Sequence, residues 1–116
     1  MGLRIEQRRG VTVLHITGDL TGGEEAPRLK QEIDRLVAAA KIHLLVDLTE
    51  VGLVSSLGIG LLCCCLTRVR RHGGELKLTG ASARVRRALE VCRLLDVFEH
   101  YDDREEAVRS YDSLPA

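Results

Sequence analysis

Aromatic side chains are almost missing from this chain: no tryptophan, two tyrosines and one phenylalanine in 116 residues. That scarcity excludes the stacking platforms on which single-stranded nucleic acid is held. Net charge is missing as well, because 17 basic residues are matched by 17 acidic ones. No global field therefore draws in nucleic acid or anionic lipid. No apolar run approaches the roughly 18 residues that cross a bilayer. The opening "MGLRIEQRRG" has no apolar stretch after its basic residues, as a secretory signal requires, and Glu6 breaks the N-myristoylation pattern. Proline is scarce too, at two residues, and there is no low-complexity linker, so one domain over residues 1–112 is expected, with a frayed tail at 113–116. Four cysteines without an export signal point to reduced thiols and a cytoplasmic location.

What the chain does have is regular alternation. "LRIEQ" and "VTVLHITG", separated by "RRG", read as two strands of an opening hairpin, with Val11, Val13 and His15 alternating against Thr12, Leu14 and Ile16. "GDLTGGEE" supplies turn residues and an acidic helix start. Ala26, Leu29, Ile33, Leu36, Val37 and Ala40 then recur at spacings of three and four, the stripe of an amphipathic helix running to Ala40. "IHLLVDL" is a nearly continuous apolar run, as in a strand covered on both faces. A second helix starts at Ser56, with Ile59, Leu62, Cys63, Leu66 and Val69 inward, and stops at "HGG". "ELKLTG" is a fourth strand and "SARVRRALEVCRLL" a third helix with Val85, Leu89 and Cys92 inward. "DVFEHY" is a short closing strand and "DREEAVRSY" a last helix. The order strand, strand, helix, strand, helix, strand, helix, strand, helix predicts an α/β fold. Its sheet is mixed and mostly parallel, with four to five strands, an antiparallel edge hairpin and helices packed on it.

The chemistry concentrates at "VSSLGIG". Ser55 and Ser56 precede an apolar helix, where one hydroxyl serves as the N-cap. A helix start also favours an anion, and Gly58 and Gly60 clear side chains so that a partner can approach the backbone. An enzyme reading fails on context. "S-x-G" between a strand and a helix resembles the nucleophile elbow of α/β-hydrolases, but Val54 occupies the place of its first glycine and the turn is loose. The acid and base would have to come from Asp96, Asp102, Asp103 and His100, with little room for a substrate pocket. "GLVSSLGIG" has no lysine after its last glycine, so it is not a Walker loop. Adjacent helical cysteines point about 100° apart and cannot converge on one ion, so "CCC" reads as a core cysteine, Cys63, beside more exposed neighbours. His15, His43, His72 and His100 show no ligand spacing, and the two "RVRR" clusters read as solvated helix faces.

"VDLTEVGLVSSLGIGLL" resembles the signature segment of STAS domains, the family of bacterial anti-sigma factor antagonists, whose usual form is Asp-(Leu/Phe)-Ser-x-Val, a short apolar stretch, then Asp-Ser-(Ser/Thr)-Gly. "LHITGDLTGGEEAPRLKQEI" and "GGELKLTGASARVRRALEVCRLLDVFEHYDDREEAV" resemble the flanking parts, so the likeness covers nearly the whole chain. By this resemblance Asp47 and Leu48 match the opening pair, Gly58 the glycine, and Ser56 the serine phosphorylated by the family's kinase. Ser55 stands where aspartate is most frequent, and Leu57 replaces a small hydroxyl residue. Asp19 matches an acid of the family's Gly-Glu-Leu-Asp, and Thr21 stands where that motif ends in aspartate. The resemblance implies a protein that is not itself an enzyme and uses no cofactor or metal. It implies a site of Ser55, Leu57, Gly58, Asp19 and Thr21 around Ser56, docking on an anti-sigma factor of kinase-like fold and so releasing a sigma factor. Phosphorylation of Ser56 breaks the contact and a phosphatase restores it. Neither nucleic acid nor membrane insertion is expected, and the chain is a monomer or weak dimer. A second reading is a module of a transporter, such as a lipid-transport complex, or of a larger signalling assembly, in which no phosphate is attached.

Overall fold

The computed structural model describes residues 2–23, 26–94 and 96–113. β1 (Gly2–Arg8) and β2 (Val11–Thr17) form the expected hairpin, antiparallel, with Arg8 opposite Val11. The two connecting residues, Arg9 (φ 52°) and Gly10 (φ 79°), both lie in the left-handed region, which matches the twist of the strands they join. Then follow α1 (Ala26–Ala38), β3 (His43–Glu50), α2 (Ser56–Arg71), β4 (Glu75–Thr79), α3 (Ala83–Val91), β5 (His100–Tyr101) and α4 (Arg104–Arg109), which runs on into a 3₁₀ turn at Ser110–Ser113. The five strands lie in chain order, β1-β2-β3-β4-β5, and every pair after the hairpin is parallel. This is the mixed, mostly parallel sheet the alternation predicts.

One sheet face carries the main core. Leu14, Ile16, Leu44, Val46, Leu48, Leu76 and Leu78 meet the apolar stripes of α1, α2 and α3 there. The opposite face carries a smaller core of Val11, Val13, Leu45, Ala107, Val108 and Tyr111, built by α4 and the 3₁₀ turn. β2 is thus buried on both faces rather than alternating, because the chain returns to cover it about 90 residues later.

Several helix ends fall earlier than the apolar spacing suggests. α1 stops at Ala38, and Ala40 adopts a left-handed φ of 60°, with Lys41 N donating to Leu36 O (2.8 Å) and Ala40 N to Val37 O (3.0 Å). α3 stops at Val91 in the same way, with Arg93 at φ 59° and Leu94 N donating to Leu89 O (2.9 Å). These are Schellman caps made without glycine. Because α3 ends there, Cys92 is exposed instead of inward. The α2 stripe is also rotated from the expected phase: Cys65 is buried, Cys63 only half-buried and Cys64 exposed. Burial pushes the Cys65 thiol up to about 11, which makes it a poor nucleophile. The closing strand is only two residues long. Glu24 and Glu25, expected to give α1 its acidic start, lie outside the described residues, as does most of the expected tail.

Candidate functional site

Two loops meet at the start of α2. Leu20, after β2, forms a parallel bridge with Val54, before α2. Leu20 N donates to Leu53 O (2.8 Å), and Leu20 O accepts from Ser55 N (3.0 Å). The two serines divide their tasks. Ser55 is the N-cap, extended at φ −83° and ψ 170°; its hydroxyl accepts from Gly58 N (3.1 Å) and donates to Thr21 O (3.0 Å). An aspartate here could satisfy the Gly58 amide but would repel the Thr21 carbonyl, so serine joins the loops as a carboxylate cannot. Ser56 is the first residue of α2, exposed, and its hydroxyl makes no hydrogen bond among the described residues. The first turn of α2 has no acidic side chain.

Leu57, next to it, is 70% exposed. Gly58 is buried, and the room expected there for a partner is filled by the chain's own Leu20 carbonyl. Gly60, by contrast, faces open space. Asp19 is exposed on the neighbouring loop, beside Gly52. Of the residues singled out in the sequence, Ser55, Ser56, Leu57, Gly58 and Thr21 are therefore brought together, with Asp19 on the flank. A groove of about 330 Å³ runs between the start of α2 and α3, lined in part by Ser56, Ile59, Arg84, Arg87 and Val91. Val91 is 75% exposed, so an apolar rim borders the serine.

Two of the groups that a hydrolase reading would recruit are engaged elsewhere. His100 Nε2 accepts from Ala81 N (3.2 Å), and burial together with Arg86 holds its ring below the ordinary histidine range despite Asp102, as an accepting nitrogen requires. Asp103 caps α4. Among the described residues no cluster of three histidine, cysteine or acidic side chains is placed to hold a metal ion.

One polar cluster was not singled out in the sequence. On the smaller-core face, His15 Nδ1 lies 2.9 Å from Asp47 Oδ2 and its Nε2 lies 3.2 Å from Glu6 Oε1. The other Asp47 oxygen accepts from Thr49 N (3.0 Å) and the Thr49 hydroxyl. The legible sign was the parallel register, which sets His15 opposite Asp47, but it needs the pairing to be known. Burial alone would raise the Asp47 pKa, yet the Thr49 hydroxyl and amide and the His15 ring outweigh it, so the carboxyl is held below the usual range. A carboxyl depressed in the fold contributes stability above its unfolded pKa, near 4, and loses it as pH falls through the folded value. Thermal melts should thus show steep destabilisation below about pH 4. Asp47→Asn should flatten part of that acid limb while lowering stability at pH 7; equal limbs would remove this role.

Residues 3–107 match the family model described as STAS domain, which covers most of the 116-residue chain. The chain belongs to the STAS domain family. It is 34% identical over 74 residues to an anti-sigma-B factor antagonist of Listeria monocytogenes, a match covering 64% of this chain and 65% of that protein, just under two thirds of its length. In fold it is similar to an anti-sigma factor antagonist from Mycobacterium paratuberculosis, with TM-score 0.84, 23% identity and coverage of 97% and 94%. It is also similar to the Bacillus cell fate determinant SpoIIAA in its phosphorylated form, with TM-score 0.73, 16% identity and coverage of 95% and 99%. No helix among the described residues is long and apolar enough to cross a membrane.

Proposed function

We propose that this chain is an anti-sigma factor antagonist whose residues 1–112 act as one binding module, and that Ser56 is its phosphoacceptor. The observation that carries this reading is the division of labour at the helix start: Ser55 is committed to capping, while Ser56 is exposed with an unengaged hydroxyl among the described residues. The 34% identity to a protein of that name supports it. Unmodified, the start of α2 with Leu57, flanked by Asp19 and Thr21, docks on an anti-sigma factor of kinase-like fold and frees a sigma factor. Ser55 and Gly58 shape this surface from behind.

The kinase transfers the terminal phosphoryl group of ATP to Ser56 Oγ, with ADP leaving and the hydroxyl proton released. The product carries about −1.5 to −2 charges, strongly hydrated, where the partner's surface must close. Docking is then lost through desolvation and repulsion, and a phosphatase resets the switch. The chain is substrate and partner in this scheme and performs no catalysis of its own.

The test pairs two variants against the kinase-like anti-sigma factor recovered from the same host. Ser56→Asp should weaken binding by about tenfold or more, equivalent to roughly 1.4 kcal/mol, and Ser56→Ala should preserve it. Incubation with that kinase and ATP should add one phosphate by intact mass, and Ser56→Ala should abolish the gain. Equal affinities of the two variants would overturn the switch. No mass gain would reduce the site to a docking surface.

A further inference from the structure

Helix α3 presents one face to Ser56. Arg84, Arg87, Ala88 and Val91, spaced as i, i+3, i+4 and i+7, line the same groove as Ser56 and Ile59 of α2. The arginine between them behaves differently: Arg86 pairs with Asp102 at 3.2 Å. Arg84 and Arg87 have no acidic partner among the described residues, and the first turn of α2 offers none. The groove opposite the exposed serine is thus lined by two arginines without an acidic partner among the described residues, over an apolar floor. Arginine is the side chain whose forked N–H groups fit phosphate oxygens, and such pairs are the stronger kind of hydrogen bond.

We infer that α3 carries an intramolecular receptor for the phosphate on Ser56, in which Arg84 and Arg87 fold across the groove and clamp it. The inference rests on the reading of Ser56 as phosphoacceptor. It adds that modification works in two ways, by placing charge at the helix start and by closing the α2–α3 groove. The free N–H groups of the first turn face the same dianion from below. The apolar rim at Val91 and the two guanidinium groups are withdrawn from any partner at the same moment. Phosphorylation then hides a surface as well as charging one.

The test uses the full chain with phosphoserine installed at position 56 during synthesis, so that no kinase is needed, and reads the second phosphate ionisation by ³¹P NMR. An unclamped phosphoserine titrates near 6. In the otherwise unaltered chain the midpoint should lie about one unit lower, since adjacent cations favour the dianion. The double variant Arg84→Gln/Arg87→Gln, at two exposed positions, should return most of that shift. Arg86→Gln, on the same helix but facing Asp102, should leave the midpoint where it is. Equal midpoints in the unaltered and double-variant chains would overturn the clamp. So would an Arg86→Gln shift as large as that of the double variant, since the effect would then be a general field. Failure of the switch itself would show differently, as an absent kinase reaction or unchanged partner affinity, and this titration depends on neither.

Discussion

Gly58→Ala should destabilise the fold by about 2 kcal/mol and lower the melting temperature by about 10 °C, although alanine is the better helix former. By propensity alone the change should stabilise an α-helix by up to about 1 kcal/mol. Space decides against it. A Cβ at position 58 would collide with the Leu20 carbonyl oxygen, lie 2.8 Å from its carbon and 3.2 Å from Leu20 Cγ. That carbonyl cannot turn aside, because it accepts from Ser55 N and its own residue donates to Leu53. Gly60→Ala is the control. It lies two residues along the same helix with nothing within 4 Å of its new methyl, and should stabilise by about 0.5–1 kcal/mol. Thermal denaturation of both variants separates the two effects, and the same sign for both would refute the close-approach account. Gly58→Ala should also weaken partner binding, since the loop it displaces carries Thr21 and Asp19.

Tyr111→Ala should cost about 4 kcal/mol, the largest loss expected from any single truncation on the smaller-core face. Tyr111 is 5% exposed and closes a small cluster, six buried residues among those described, so the cavity has few neighbours able to relax into it. Its hydroxyl donates to Leu44 O (2.5 Å) and lies 3.0 Å from Glu75 O, binding the C-terminal turn to two strands. Its ring stacks on His43, with centroids 4.9 Å apart, and lies 4.2 Å from Lys77 Nζ. Lys77 is 4% exposed, so removing the ring also strips a nearly buried cation of part of its surroundings. Tyr111→Phe retains the packing and loses only the hydroxyl, for about 1 kcal/mol. Urea denaturation followed by circular dichroism measures both. A Tyr111→Ala cost as small as that of Tyr111→Phe would show that α4 and its turn are ornamental to β2.

The order of elements and the place of the helix start were legible in the sequence because each rests on local pattern. "IHLLVDL" is apolar but for His43 and Asp47 because β3 is covered on both faces, and Ser55 announces α2 because capping chemistry selects it. What was hidden depends on contacts between distant residues. Three consecutive cysteines carry no phase information, so the stripe alone could not place Cys65 inward and Cys63 at the flank. Ala40 and Arg93 cap helices in a conformation usually announced by glycine, and the apolar spacing runs up to the first and past the second. At the site the sequence located the serines and the structure separated their roles, since the bond from Ser55 to Thr21 spans 34 positions. In the sequence alone Arg84 and Arg87 have the pattern of a solvated face, because nothing local reveals that α3 turns that face toward Ser56.

The agreement between strand order and chain order has a consequence for how the protein is made. Each parallel strand joins the edge left by its predecessor, so a chain emerging from the ribosome can extend its sheet without reopening it. β2 and β3 are the exception, since their second face is covered only after residues beyond Arg104 have appeared. Until those residues pack, Val11, Val13 and Leu45 form a greasy strip turned to water, and the ring of Tyr111 is the latch that shuts it. In that interval β2 and β3 are the strands most open to mispairing, and release from that hazard comes with the packing of α4.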